Sequence, residues 1–173
     1  MATTEQLTVS EACSELWINL KAIGDEGPKV DRSRIRGLVL GQTTLDPVEA
    51  IHKLREYMGG APDRFTNIYR IMPILTWVRT EISGMIKEVE TQKSKILEGE
   101  SFRVTVEKRR TQLRSMEIII PVADVLENEV DLEKPDWVIL INILGRKTGV
   151  SVIRHNDELN VQKEKYELSK KGH

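Results

Sequence analysis

Trp137-Val138-Ile139-Leu140-Ile141-Asn142-Ile143-Leu144 is almost continuously apolar, the pattern of a strand covered on both faces. Gly145-Arg146-Lys147-Thr148-Gly149 turns the chain into Val150-Ser151-Val152-Ile153, so the two runs read as strands joined by a hairpin turn. Upstream, Phe102, Val104 and Val106 alternate with Arg103, Thr105 and Glu107, the period of a half-buried strand. Between these runs, Arg114-Ser115-Met116-Glu117 reads as a helix start, with Ser115 as cap and Glu117 placed to favour the helix dipole. Ile118, Ile119, Val122 and Leu126 supply its buried face. Pro121 falls inside that stretch, where proline costs about 3 kcal/mol, so the helix either kinks or begins near Pro121. Ile82, Met85, Ile86, Val89, Ile96 and Leu97 mark an amphipathic helix that ends at Gly99.

The first seventy or so residues alternate strand and helix. Leu7-Thr8-Val9 reads as a short strand, with Ser10 as cap of a helix that buries Cys13, Leu16, Leu20 and Ile23 and carries Trp17 beside them. Gly27-Pro28 breaks the chain before Lys29-Val30-Asp31, and Gly37-Leu38-Val39-Leu40-Gly41 reads as a buried strand. Asp46-Pro47-Val48-Glu49 starts a helix with an Asp cap, Pro at the first helical position and a carboxylate three residues after the cap. Ile51, Leu54 and Met58 continue its stripe to Gly59-Gly60, and Ile68-Tyr69-Arg70-Ile71-Met72 is the next strand, closed by Pro73. The order β-α-β-β-α-β is the ferredoxin-like pattern. The expected class is therefore α/β (α+β), with a ferredoxin-like unit over residues 1–74, a second unit packed against it over 75–158, and a charged tail or frayed helix over 159–173.

Composition narrows the function classes. The chain has 173 residues, 39% hydrophobic and 31% charged, with a formal net charge of −1. That charge argues against a general polyanion binder, so nucleic-acid binding would require local clustering of basic side chains. No apolar run approaches the roughly 18 residues of a membrane span. Met1-Ala2-Thr3-Thr4-Glu5-Gln6 lacks the basic-then-apolar order of a signal peptide, and the expected compartment is the cytoplasm. One cysteine and three histidines make a poor zinc inventory, so no metal site is expected.

Candidate chemistry reduces to ordinary structure at each position. Gly145-Arg146-Lys147-Thr148-Gly149 has the composition of a phosphate loop but lies between two strands, so no helix N-terminus follows it. Cys13 lies on an apolar helix face and reads as a small buried hydrophobe. His52 and His155 read as surface residues, and the Glu88/Glu90 and Glu127/Glu129 pairs as solvated helix faces. No acid, base or metal constellation assembles, so neither a catalytic residue nor a cofactor is expected.

Basic residues carry more. From Arg103 to Arg114 there are five basic side chains, Arg103, Lys108, Arg109, Arg110 and Arg114, against the single acid Glu107. Lys108, Arg109 and Arg110 fall where the strand runs into a loop. Arg146 and Lys147 occupy a turn, and Arg154 ends a strand. Brought together by the sheet, these side chains would exchange counterions with RNA phosphates. Stacking partners are scarce, eight aromatics in all, and Phe102 and Trp137 read as core.

Arg70-Ile71-Met72-Pro73, Glu98-Gly99-Glu100-Ser101-Phe102-Arg103-Val104, Arg114-Ser115-Met116-Glu117-Ile118, Val130-Asp131-Leu132-Glu133-Lys134-Pro135-Asp136 and Gly149-Val150-Ser151-Val152-Ile153 resemble, in that order, the landmarks of THUMP domains over about residues 70–155. The first unit resembles the ferredoxin-like domain that precedes THUMP. The ending Lys165-Tyr166-Glu167-Leu168 is similar to the tail of the stand-alone THUMP adaptors of tRNA cytidine acetylation. The resemblance implies a mixed sheet with helices and binding of tRNA through its acceptor stem and 3′ end. It also implies a separate tRNA cytidine acetyltransferase as partner, forming N4-acetylcytidine. On the same resemblance Arg103, Lys108, Arg109 and Arg110 match the family's basic strand-and-loop element, and Arg114 and Ser115 its helix start; Arg146, Lys147 and Arg154 are secondary. Relatives that thiolate or methylate tRNA fuse the module to a catalytic domain, which is not expected in this chain. The leading expectation is a non-catalytic tRNA-binding adaptor. The alternatives are the recognition subunit of a split thiolation or methylation enzyme, and a ferredoxin-like protein–protein module.

Overall fold

Strand β1 (Ala2–Thr4) is three residues long, yet it lies in the middle of its sheet. The structure, a computed structural model, describes residues 1–171; residues 172 and 173, the end of the expected tail, lie outside the described residues. Helix α1 (Val9–Ala22) follows β1, then β2 (Lys29–Arg32), β3 (Leu38–Gln42), helix α2 (Pro47–Gly60) and β4 (Ile68–Ile71). The strands stand in the order β2-β3-β1-β4, each antiparallel to its neighbours, as a ferredoxin-like unit requires.

The first strand is not at Leu7–Val9, where the sequence places it. Met1 and Ala2 are buried, whereas Leu7 is 85% exposed and belongs to a short 3-10 turn that leads into α1. Three residues suffice because β1 satisfies its backbone on both sides, against β3 and β4. Thr8 occupies the N-cap position of α1, and Ser10 Oγ instead accepts from Arg32 Nη2. Helix α2 starts as its sequence dictates: the Asp46 carboxylate accepts from Val48 N at 2.9 Å and Glu49 N at 3.0 Å.

A second compact unit runs from Ile74 to His155. It comprises β5 (Thr76–Arg79), helix α3 (Ile82–Gln92), β6 (Phe102–Arg109), helix α4 (Ser115–Ala123), β7 (Trp137–Leu144) and β8 (Lys147–Arg154). The order is β5-β8-β7-β6, with β6 parallel to β7 and the other pairs antiparallel, so the sheet is mixed. Seven of the eight β7 residues are buried, as the opening run demands. Ile139, Ile141 and Ile143 form the core with Met85, Val89, Phe102, Ile118, Val122, Val150 and Val152.

Two expectations about helices in this unit are corrected. Helix α4 begins at Ser115 and runs through Pro121, with Arg114 rather than Ser115 at the N-cap position. Proline removes one hydrogen bond, to the Glu117 carbonyl, for about 3 kcal/mol. Complete burial of Ile118 and Val122 offsets that at about 1.5–3 kcal/mol each. Helix α3 stops at Gln92, well before Gly99, and the chain passes into a 3-10 turn over Lys93–Lys95; Gln92 Oε1 accepts from Val152 N at 3.0 Å. Leu97 is consequently exposed rather than on the buried stripe.

Residues 156–171 belong to the first compact unit. Strand β9 (Leu159–Asn160) pairs with β4, and helix α5 (Val161–Lys171) follows. Leu159 and Val161 enter the first unit's core beside Leu54, Phe65 and Ile71. Arg55 Nε donates to Glu164 Oε2 at 2.7 Å and Arg55 Nη2 to the Glu158 carbonyl. Two buried apolar side chains thus anchor a segment whose composition reads as a charged tail. Among the described residues no helix is long and apolar enough to cross a membrane.

The loop after α1 is held by one buried carboxylate. Asp25 accepts from Thr43 Oγ1 at 2.5 Å, Thr44 Oγ1 at 2.7 Å and Gly27 N at 3.1 Å. Burial opposes its charge, but the hydroxyls of Thr43 and Thr44 and the N–H groups of Gly27 and Thr44 outweigh it and hold the carboxyl below its ordinary value. That stabilisation is complete above the unfolded-state pKa and disappears as pH falls through the depressed folded value. Asp25→Ala should lower the urea-unfolding free energy by about 2–3 kcal/mol at neutral pH. The gap to wild type should narrow below about pH 4; a gap that stays constant through acid pH contradicts the assignment.

Candidate nucleic-acid interface

Strands β5, β6 and β7 all run in one direction, since β8 is antiparallel to both β5 and β7 and β6 is parallel to β7. Their C-terminal ends therefore share one end of the sheet, and α3 and α4 both begin there. Three segments converge on it: 79–81 after β5, 107–117 from the end of β6 into α4, and the Gly145-Arg146 turn with Lys147. Backbone bonds tie them together, from Gly145 N to Arg109 O at 2.9 Å and from Thr80 N to Arg146 O at 3.0 Å. Thr80 Oγ1 and Thr148 Oγ1 lie 2.9 Å apart. A cleft of about 740 Å³ opens between the segments, lined by Arg79, Thr80, Glu81, Thr111, Gln112, Leu113, Glu117, Gly145 and Arg146.

The hairpin that carries Arg146 is closed by two residues, with Gly145 at φ +65 and Leu144 paired to Lys147, as a glycine-first hairpin turn requires. At the start of α4 the Glu117 carboxylate accepts from Arg114 N at 2.7 Å, and Glu117 N donates to Arg114 O at 3.1 Å. Those bonds fix the first turn. The N–H groups of Ser115 and Met116 have no intrahelical acceptor and carry the positive end of the helix dipole.

Charge separates along the unit. Segments 79–81, 107–117 and 145–147 hold seven basic side chains, Arg79, Lys108, Arg109, Arg110, Arg114, Arg146 and Lys147, against Glu81, Glu107 and Glu117. Segments 97–103 and 127–136 with Arg154 reverse the ratio: seven acids, Glu98, Glu100, Glu127, Glu129, Asp131, Glu133 and Asp136, face Arg103, Lys134 and Arg154. These acidic segments meet at the opposite end, where Phe102 bridges Val130 and Ser101 N donates to Asp136 Oδ2 at 2.8 Å. A net charge of −1 thus conceals a domain with one basic and one acidic end.

The expected binding residues divide between those ends. Lys108, Arg109, Arg110, Arg114, Ser115, Arg146 and Lys147 gather at the basic end. Lys108 Nζ donates to Leu113 O at 2.8 Å, and Arg109 lies 3.9 Å from the Glu107 carboxylate. Among the described residues the side chains of Arg110, Arg114, Arg146 and Lys147 have no carboxylate partner. Arg103 and Arg154 stand at the acidic end. Arg154 Nη2 donates to Glu100 Oε1 at 2.8 Å and its guanidinium lies 4.0 Å from the Trp137 ring centroid. The Leu97 N–H, the Trp137 indole N–H and Arg154 together hold the Glu100 carboxyl below its ordinary range. Arg103 Nη1 donates to Leu132 O at 3.1 Å.

Strand β5, and with it Arg79 and Trp77, is absent from the sequence reading. Its signal is the alternation Thr76-Trp77-Val78-Arg79, obscured by the nearby Pro73 and by a length of only four residues. The indole of Trp77 is exposed, with Lys147 Nζ 4.6 Å from its ring centroid. Elsewhere, His52 Nε2 lies 2.7 Å from Asp157 Oδ1 in the first unit, a partner no local pattern discloses. Burial pushes the Cys13 thiol above its ordinary value, against nucleophilic use. Among the described residues no three His, Cys, Asp or Glu side chains are grouped to hold a metal ion.

Residues 80–153, nearly all of the second unit, match the THUMP domain. The fold is similar to that of the PH1313 protein of Pyrococcus horikoshii, at 21% identity over 88% of this chain and 54% of that one, with a TM-score of 0.64. It is also similar to TrmN of Thermus thermophilus, at 18% identity over 87% of this chain and 43% of that one, with a TM-score of 0.55. The chain spans about half the length of these two structures. No curated protein matches it.

Arg110 is the one described non-glycine residue with positive φ, at +56, a conformation that costs an L-residue about 1–2 kcal/mol. Among the described residues its side chain has no hydrogen-bond or ion-pair partner to offset that cost. Arg110→Gly should therefore leave the melting temperature unchanged or raise stability by up to about 1 kcal/mol. A loss of more than about 1 kcal/mol would show instead that the arginine holds the loop.

Proposed function

The chain carries a THUMP domain over residues 80–153, and on that premise we propose that it is a non-catalytic tRNA-binding adaptor. In this reading it presents the acceptor stem and 3′ end of tRNA, in the cytoplasm, to a separate tRNA cytidine acetyltransferase that forms N4-acetylcytidine. THUMP domains bind tRNA and occur with tRNA-modifying enzymes. The observation that carries the reading is the gathering of seven basic side chains against three acids where two helices begin. Unpaired guanidinium groups and free helix N–H groups serve phosphate oxygens, which are shared by all sequences. The acidic far end repels the same backbone, so charge orients the RNA as well as attracting it. The reading assigns this arrangement recognition of phosphate and no reaction of its own.

A second reading has its own support. Because the chain spans only about half of the PH1313 and TrmN structures, it also suits the recognition subunit of a split tRNA thiolation or methylation enzyme. The partner separates the two.

Binding of total tRNA to the purified chain should weaken steeply as salt rises from 50 to about 200 mM. Replacing Arg110, Arg114 and Arg146 together by Ala should reduce the slope of log affinity against log salt by about 1 for each of these arginines that pairs a phosphate. Replacing Arg103 and Arg154 should leave that slope unchanged. Nucleoside composition should be unaltered by the chain alone, with N4-acetylcytidine rising when an acetyltransferase captured with it is added. Capture of a thiolation or methylation enzyme favours the second reading, and absence of tRNA binding at low salt removes both.

A further inference from the structure

We propose that Trp77 is a stacking platform for an unpaired RNA base, with Arg79 and Lys147 set to pair phosphates flanking that base; the proposal rests on the RNA-binding reading above. Trp77 lies on β5, an edge strand of the second sheet, and is 40% exposed. Its cross-strand neighbour on β8 is Gly149, which has no side chain, and Ile74 fills the room over that glycine. Lys147, two residues away on the same face, reaches diagonally to the ring, with Nζ 4.6 Å from the centroid. Arg79, two residues along β5 from Trp77, pairs with Lys147, Lys147 with Leu144, and Leu144 with Arg109. One cross-strand row on the face that carries Trp77 therefore holds three cations at the basic end of the sheet.

Trp137 shows what a structural tryptophan looks like in this fold. Its indole N–H donates to Glu100 at 2.6 Å, Arg154 lies over its ring, and that arginine is paired in turn with Glu100. Trp77 shares only the cation over its ring, in Lys147, and lacks the rest of this closure. Its indole N–H has no acceptor among the described residues, and Lys147 and Arg79 have no carboxylate partner there. An exposed indole on an edge strand invites unwanted association, and a smaller β-branched residue would pair as well. The arrangement suits a ligand with a flat apolar face next to negative charge, which is the description of an unstacked nucleotide. Acids near the row are Glu81, beyond Arg79 in the chain, and Glu107, 3.9 Å from Arg109; neither pairs with Arg79 or Lys147.

The test compares the full chain on a blunt RNA duplex and on the same duplex with a short single-stranded extension, with indole emission and affinity followed together. The extended RNA should bind more tightly and quench emission, and Trp77→Phe should abolish most of the quenching while keeping the affinity. Trp77→Leu, apolar but without a π face, should lose affinity for the extended RNA by about fivefold or more, the effect of one stacked base. Its affinity for the blunt duplex and its salt slope should stay as in wild type. If Trp77→Leu binds both RNAs as wild type does, or if the extension adds no affinity to wild type, the platform is overturned while RNA binding stands. If wild type binds neither RNA, the RNA-binding reading fails and the platform with it. Trp77→Phe that melts with wild type yet loses as much affinity as Trp77→Leu also overturns stacking.

Discussion

The parallel pairing of β6 with β7 is the constraint on which the second unit depends. Two parallel neighbours cannot be joined by a turn, so the chain must travel back along the sheet before β7 begins. Helix α4 makes most of that return and covers the sheet with Ile118 and Val122. Its start is thereby fixed at the C-terminal end of β6. The same logic applies to α3, because β5 and β6, the strands it connects, also run in one direction. Two helix N-termini and a glycine-led hairpin thus arrive at one end as a consequence of strand direction. Function then needs only the right side chains on those three segments.

Charge placement completes the design. Lys108 through Arg110, Arg114, Arg146 and Lys147 are far apart in sequence but share the end where the helix dipoles are positive. The carboxylates of 127–136 lie where β7 starts. Dipole and side-chain charge therefore add at the basic end. This resolves the tension between a slightly acidic chain and a polyanion partner. Affinity in such a system depends on ionic strength, and a partner protein sharing the RNA would compensate for a modest local excess of positive charge.

Much of the architecture was legible in the residues, and the failures have physical reasons. β7 announced itself because burial on both faces leaves a continuous apolar run, and α2 because Asp46-Pro47 and Glu49 form a capping pattern that needs no tertiary context. β1, β5 and β9 are two to four residues long, too short for a period to show, and are held by neighbours on paired edges. Helix α4 persists through Pro121 since buried side chains outweigh one missing hydrogen bond. The binding end was partly legible: Lys108 to Ser115 are neighbours in sequence, so proximity came free. The sequence groups Arg103 and Arg154 with them because strand direction and register cannot be read locally. Along the strands Arg103 is about 17 Å from Lys108, and Arg154 about 23 Å from Lys147, so neither reaches the basic end. Arg79 and Trp77 were invisible for the same reason, as their significance comes only from pairing with β8.

The central claim is that RNA contacts the end of the second unit where β5, β6 and β7 finish, and amide hydrogen exchange with and without bound tRNA tests it most directly. Slowed exchange should concentrate in residues 79–81, 107–116 and 145–147, with residues 97–101 and 127–136 unchanged. Protection of the acidic segments with none at the basic end would contradict the account.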